Sequence, residues 1–230
     1  MAQVLVVTSG KGGVGKTTST AALGAALAHD GQKVVVVDFD VGLRNLDLVL
    51  GAERRVVFDL INVIHGIAKL QQALIRDKRL ENLFLLPASQ TRDKDALTDD
   101  GVARVIAELR TKFDWIICDS PAGIERGEQV AKHLLITRYH AGRAARGEML
   151  SIADVLEILS IPLLGIIPES EEVLRASNVG APVTLNNALS APARAYFDAS
   201  RRLKGDQIPM IVPTETKGLL TKLFGRKAAA

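Results

Sequence analysis

A single cysteine, Cys118, stands among the 230 residues, inside an apolar run. One thiol cannot build a disulfide framework, so the chain suits a reducing compartment, and Cys118 reads as a small core residue. Long apolar runs are missing as well. No stretch approaches the ~20 residues of a membrane-spanning helix, and no basic segment followed by an apolar core opens the chain, which predicts a protein neither exported nor integral to a membrane. A large charge excess is absent too: 29 Lys and Arg against 26 Asp and Glu leave +3, which does not by itself argue for nucleic acid. Part of that surplus is gathered at the C-terminal end, in Lys217, Lys222, Arg226 and Lys227. Low-complexity linkers and internal repeats are not found before about Gln207.

What is present is the composition of one ordinary globular domain, 47% hydrophobic and 24% charged. Apolar, β-branched runs at Val4–Val7, Val34–Val37, Leu83–Leu86, Trp115–Cys118, Leu134–Thr137 and Leu163–Ile167 alternate with segments of helical period. This alternation predicts an α/β fold with a mostly parallel sheet flanked by helices on both faces. Ser151 followed by Asp154 predicts a helix start with a capping box, and the Val155, Leu156, Ile158 and Leu159 that follow read as core-packing residues. Pro209, Pro213 and Thr214–Thr216 mark an irregular connection. The chain therefore divides into a domain over 1–206 and an appendage over 207–230.

The strongest signal is Gly10-Lys11-Gly12-Gly13-Val14-Gly15-Lys16-Thr17, placed after a predicted strand and opening a predicted helix from Thr17 to Leu27. Backbone amides can converge on phosphate oxygens only where side chains are out of the way, and a helix N-terminus adds a favourable dipole. In such a P-loop Lys16 reaches the β and γ phosphates, Thr17 offers its hydroxyl to Mg2+, and Thr18 continues the cradle. A nucleotide-hydrolysing site also needs an acid at the end of a buried strand, and Trp115-Ile116-Ile117-Cys118-Asp119 supplies Asp119 for the metal. Asp38-Phe39-Asp40 ends another predicted strand, where ligands of open α/β sheets bind. Asp40 is a candidate for orienting the attacking water and Asp38 for the metal shell. Either could instead begin the next loop, and Asp119 could be a helix cap.

The extra Lys11 makes this loop resemble the deviant Walker A ATPases of the ParA/MinD family, whose signature lysine reaches the partner's phosphates in an ATP-bound dimer. Asp40–Asp47, Ala88–Leu97, Asp119–Glu125, Leu134–Tyr139, Met149–Ile158 and Ile166–Asn178 are similar to the septum-site branch of that family over nearly the whole chain. The resemblance implies a P-loop NTPase fold, a Mg2+-dependent ATPase with ATP as its ligand, catalytic Lys11, Lys16 and Asp40, and an adenine pocket near Arg138 and Pro168-Glu169. It further implies an ATP-dependent homodimer, a MinC-like inhibitor, a MinE-like activator, and residence in the cytoplasm and on the cytoplasmic face of the inner membrane. Two departures accompany it. His140 stands where the family usually has an asparagine that holds the base. After Glu125 a stretch on the order of thirty or more residues, about one βα unit, is missing, which should remove a strand from the sheet.

Residues 217–227 project Leu219, Leu220, Leu223 and Phe224 onto one helical face between cations, a pattern suited to an anionic bilayer surface and similar to the family's membrane-targeting tail. Two other readings stay open. One is a catalytically impaired nucleotide- or membrane-binding scaffold. The other is a ParA-like DNA-segregation ATPase, with no specific nucleic acid expected and salt-sensitive DNA binding as its mark. An iron protein with the same loop needs cluster thiolates that one cysteine cannot provide.

Overall fold

A computed structural model describes residues 2–90, 96–121 and 131–214. The expectations that fall on residues 91–95, on 122–130 and on 215–230, including Leu219, Leu220, Leu223 and Phe224, lie outside the described residues. β1 (Gln3–Val7) leads through the glycine-rich loop into α1 (Lys16–His29), followed by β2 (Val34–Asp38). Three short helices, α2 (Leu46–Val49), α3 (Leu60–Ile64) and α4 (Leu70–Ala73), precede β3 (Ile75–Arg76) and β4 (Leu83–Leu86). α5 (Asp99–Arg110) returns the chain to β5 (Trp115–Asp119). Beyond it come β6 (Leu134–Tyr139), α6 (Ala141–Ala145), α7 (Ile152–Leu159), β7 (Leu163–Pro168), α8 (Glu171–Asn178), α9 (Val183–Asn186) and α10 (Ala191–Leu203).

The six expected strands all form, but not in one sheet. Five strands in the order β1-β5-β2-β4-β3 make one sheet, and among the described residues β6 and β7 pair only with each other. Every pairing is parallel except that of β3 with β4. The two-residue β3 was not foreseen because it is too short to register as an apolar run. β2 and β5 are buried along their whole length, which is why their sequences are unbroken apolar runs. β1 is different: it pairs on one edge only, and Val6 is 48% exposed although its register partner Cys118 is 5% exposed. Among the described residues no strand pairs between β1 and β6, where the sequence predicts one to be missing after Glu125.

Alternation along the strands divides the core. Leu5, Val7, Val34, Val36 and Ile117 pack towards α1 and α10, whereas Val4, Val35, Val37, Ile116 and Cys118 pack towards α3 and α5. Each fully buried Val contributes roughly 1.5–3 kcal/mol, so the four valines of β2 anchor both layers. α1 approaches β2 closely because its inner face is small; a Cβ on Gly24 would lie 2.6 Å from Val36 Cγ1.

Helix contacts replace the missing ladder between the two sheets. α10 packs on both β7 and α1, and the buried Tyr196 hydroxyl lies 3.0 Å from Ser19 Oγ. Thr137 on β6 donates its hydroxyl proton to the carbonyl of Val14 at 2.8 Å. The capping box at Ser151 and Asp154 forms as expected. The core-packing reading of α7 needs correction, because none of its residues is buried: Val155 and Leu156 are half-covered, Ile158 is 67% exposed and Leu159 46%. A two-stranded sheet offers too little surface to cover the apolar face of the helix.

Candidate nucleotide site

The C-terminal ends of three strands meet at one place. Val7 of β1 is in register with Asp119 of β5, which is in register with Asp38 of β2. Between β1 and α1 runs the loop from Ser9 to Gly15. Gly13 and Gly15 hold φ of 74° and 95°, which a side chain would strain, so here the glycines are required by the backbone and not merely permitted. Gly15 caps α1 without a side chain, and the first turn of the helix contains no acid. Its amides are therefore left for an external anion, as a phosphate cradle demands. Gly10, Gly12, Gly13 and Gly15 have open space where a Cβ would stand. Lys16 Nζ donates to Ser9 Oγ at 3.3 Å, a light tether for a side chain that must reach phosphates. Lys11 is exposed on the loop.

The acids lie beside this loop in an order set by burial. Asp38 is fully buried; its Oδ1 accepts the amide of Asp40 at 2.9 Å and its Oδ2 that of Leu46 at 3.2 Å. Burial pushes its carboxyl up to about 7 against these two bonds, with the charge of Asp119 adding to the rise. The backbone bonds give Asp38 the work of folding the loop that carries Asp40. Asp119 is 2% exposed and also raised, first by burial, with the Thr17 hydroxyl and the Lys16 charge pulling it back. Its Oδ1 is buried with no hydrogen-bond partner among the described residues. An orphaned carboxylate oxygen beside a hydroxyl and a phosphate loop fits a hydrated cation. Magnesium takes most of its ligands from water and phosphate oxygens and needs few from protein. Accordingly, no cluster of three or more His, Cys, Asp or Glu suited to a metal occurs among the described residues. Cys118 is buried, its thiol pushed up to about 12 by burial and the adjacent Asp119 charge, and is inert.

A cavity of about 1420 Å³ opens at the ends of β6 and β7. Tyr139, His140, Pro168 and Glu169 line it, as do the start of α10 and Met210–Thr214. Arg138, expected here, does not line it; it holds a φ of 55° and pairs its guanidinium with Glu169 at 3.3 Å. His140 caps α6, its Nδ1 accepting the amide of Arg143 at 3.2 Å, so the neutral ring carries its proton on Nε2 and can only donate there. Sequence reasoning missed Thr137, Tyr196 and the segment Met210–Thr214. The first two are apolar-run or helical residues until the fold brings their hydroxyls to α1 and its loop, and the last looked like a plain connection.

Residues 5–183 match the family model described as the CobQ/CobB/MinD/ParA nucleotide binding domain. The septum site-determining protein MinD of Escherichia coli strain K12 is 51% identical, over 98% of this chain and 100% of that protein. That of Neisseria meningitidis serogroup B is 50% identical over the same shares. The alignment with the Escherichia coli protein runs over 270 positions where this chain has 230 residues, so at least 40 positions are gaps on this side. Among solved structures, the MinC:MinD cell division protein complex of Aquifex aeolicus superposes with a TM-score of 0.82 at 35% identity, covering 92% of this chain and 99% of that one. The Pyrococcus horikoshii MinD complexed with Mg-ADP gives 0.72 at 28% identity, covering 88% and 96%.

Proposed function

The chain belongs to the CobQ/CobB/MinD/ParA nucleotide-binding family and, within it, to the septum site-determining MinD proteins, and from that premise we propose how its residues work as an ATPase switch of division-site placement. ATP and Mg2+ are its ligands. The observation that carries the site assignment is the uncapped, acid-free start of α1 directly beside the orphaned oxygen of Asp119. Residues Gly10–Thr18 cradle the phosphates, Lys16 meets the β and γ oxygens, and Lys11 reaches across to a second copy. Thr17 and Asp119 would hold a hydrated Mg2+, and Asp38, whose oxygens already accept two amides, would add negative charge beside it. Asp40 orients water for attack on the γ phosphorus. Pro168 and Glu169 border the base, with Arg138 steadying Glu169 from outside.

The Mg2+ supplies charge neutralisation on the phosphates, and the protein supplies alignment and exclusion of bulk water. Residues 1–206 are the nucleotide domain of this reading and 207–230 an appendage whose first part, Met210–Thr214, lines the cavity. No helix among the described residues is long and apolar enough to cross a membrane. Attachment is instead peripheral, through Leu219, Leu220, Leu223 and Phe224 on the cytoplasmic face of the inner membrane, and two tails in an ATP-dependent homodimer gain by effective concentration. A solved relative is a MinC:MinD complex, and a MinC-like inhibitor and a MinE-like activator are the partners of this reading.

The interrupted sheet keeps a scaffold without turnover in view. Phosphate release by the full chain, measured against Lys16→Ala, decides between them, with circular dichroism verifying that both are folded. Lys16-dependent release supports the switch. A folded chain that binds Mg-ADP yet releases phosphate no faster than the variant is a scaffold. Co-sedimentation with anionic vesicles tests attachment: pelleting in Mg-ATP exceeds that in Mg-ADP if the switch operates, and equal pelleting refutes the coupling.

A further inference from the structure

The cavity at the ends of β6 and β7 is larger than the ~300–1000 Å³ usual for ligand pockets, so a base seated in it gains contact where a wall can move inward. Most of the wall is fixed. Tyr139 and Pro168 are paired in the β6–β7 register, His140 and Ser170 are held as the caps of α6 and α8, and α10 is packed on β7 and α1. The exception is the strap that follows α10. Its root is clamped by Arg202, whose guanidinium donates to the carbonyls of Ile208 at 3.0 Å, Pro209 at 2.7 Å and, on β7, Leu164 at 2.9 Å. Past that clamp, Met210–Thr214 make no hydrogen bond among the described residues, and Ile211 and Val212 are 69% and 49% exposed although both line the cavity. An apolar segment anchored at one end, free of backbone bonds and bordering an oversized cavity costs little to displace.

Building on the ATPase reading above, we propose that Met210–Thr214 is a movable wall that closes on the base of a bound purine nucleotide, with Arg202 as the positioning residue that sets its hinge. The apolar side chains supply a face for the ring, and Glu169 supplies an acceptor for an exocyclic amino group. The phosphates alone do not reach this wall, because the phosphate loop is absent from the lining of the cavity.

The test compares Mg-ADP with Mg-tripolyphosphate, which has the phosphates and no base, on the full chain, with binding of each followed by calorimetry. Because Cys118 is buried, a fluorophore on Val212→Cys labels the strap alone. Release of residues 218–230 by trypsin from unlabelled protein is the independent readout. Mg-ADP is expected to shift the label's emission and to change the cleavage rate by about fivefold or more, while tripolyphosphate binds and changes neither. Arg202→Met is expected to weaken Mg-ADP binding several-fold and to leave tripolyphosphate binding as it was. The proposal is overturned if both ligands bind and neither or both move the strap, or if Arg202→Met weakens both alike, as a merely structural role would. Failure of either ligand to bind a folded chain would instead overturn the ATPase reading, and this proposal with it.

Discussion

Removing one hydroxyl at the junction of α1 and α10 should uncouple the two sheets measurably. Tyr196 and Ser19 are each 2% exposed and their oxygens are 3.0 Å apart. Burial pushes the Tyr196 phenol up to about 12, so the bond is between neutral groups at ordinary pH. Tyr196→Phe keeps the ring and strands Ser19 Oγ, which costs about 1–3 kcal/mol for a buried unpaired group. Ser19→Ala strands the phenol at a similar cost, offset by roughly 0.5 kcal/mol of better helix propensity. The double variant removes both groups, leaves nothing unpaired, and should lie within about 1 kcal/mol of the parent. A coupling of at least about 0.5 kcal/mol therefore separates the double variant from the sum of the singles. Urea unfolding at saturating Mg-ADP, which holds the two parts in one cooperative unit, followed by circular dichroism, gives all four stabilities. Additive single effects would sink the argument, since they would mean that the hydroxyls act on separate parts of the molecule.

Other outcomes follow from the same geometry. The Asp38 carboxyl, normally at 3.8, sits at about 7, so the folded chain holds a proton that the unfolded chain has released. Stability without nucleotide should therefore fall as pH rises from about 4 to about 7, by up to about 4 kcal/mol from this group, and be flat in this respect above it. Mg-ADP, by placing positive charge beside Asp119 and Asp38, should flatten that slope; an unchanged slope in urea titrations at pH 5 and 8 would count against the metal site. Lys16→Ala should reduce ATP turnover a hundredfold or more, on the order of one lost charge-stabilising contact, without changing the urea midpoint. Val6→Thr, at the open edge of β1, should change stability by no more than about 0.5 kcal/mol, whereas Val36→Ala in β2 should cost about 2 kcal/mol or more; thermal melts distinguish the two.

The fold was legible where one residue type repeats for one physical reason. Val34–Val37 read as a buried strand of a parallel sheet, and Gly13 and Gly15 as backbone that must approach phosphates without side chains in the way; their positive φ is what the structure adds. The phosphate loop and the three acids were legible because their chemistry is carried by residue type and by position after a strand. The rest depended on partners remote in sequence. Nothing in Leu134–Thr137 shows that Thr137 will bridge to Val14, 123 positions away, and nothing in α7 shows that its apolar face will lack a cover. The base side was least legible. Arg138 was placed in the pocket by analogy, yet its backbone turns at positive φ and sends the guanidinium to Glu169. His140 keeps a polar group at the position of the family's asparagine, but capping α6 has already taken one of its two nitrogens.

The break between β1 and β6 also bears on how the molecule melts. With no backbone ladder joining them among the described residues, the five-stranded and two-stranded parts share helix packing and a few side-chain bonds, so they can open as separate cooperative units. The phosphate loop belongs to the first part and the base cavity to the second. A nucleotide that touches both is a noncovalent cross-link, adding about 2.7 kcal/mol at a hundredfold excess over its dissociation constant, and only while the parts stay together. Heat should therefore unfold the free chain in a broad or double transition and the loaded chain in a single sharp one, so that loss of the nucleotide would loosen the protein.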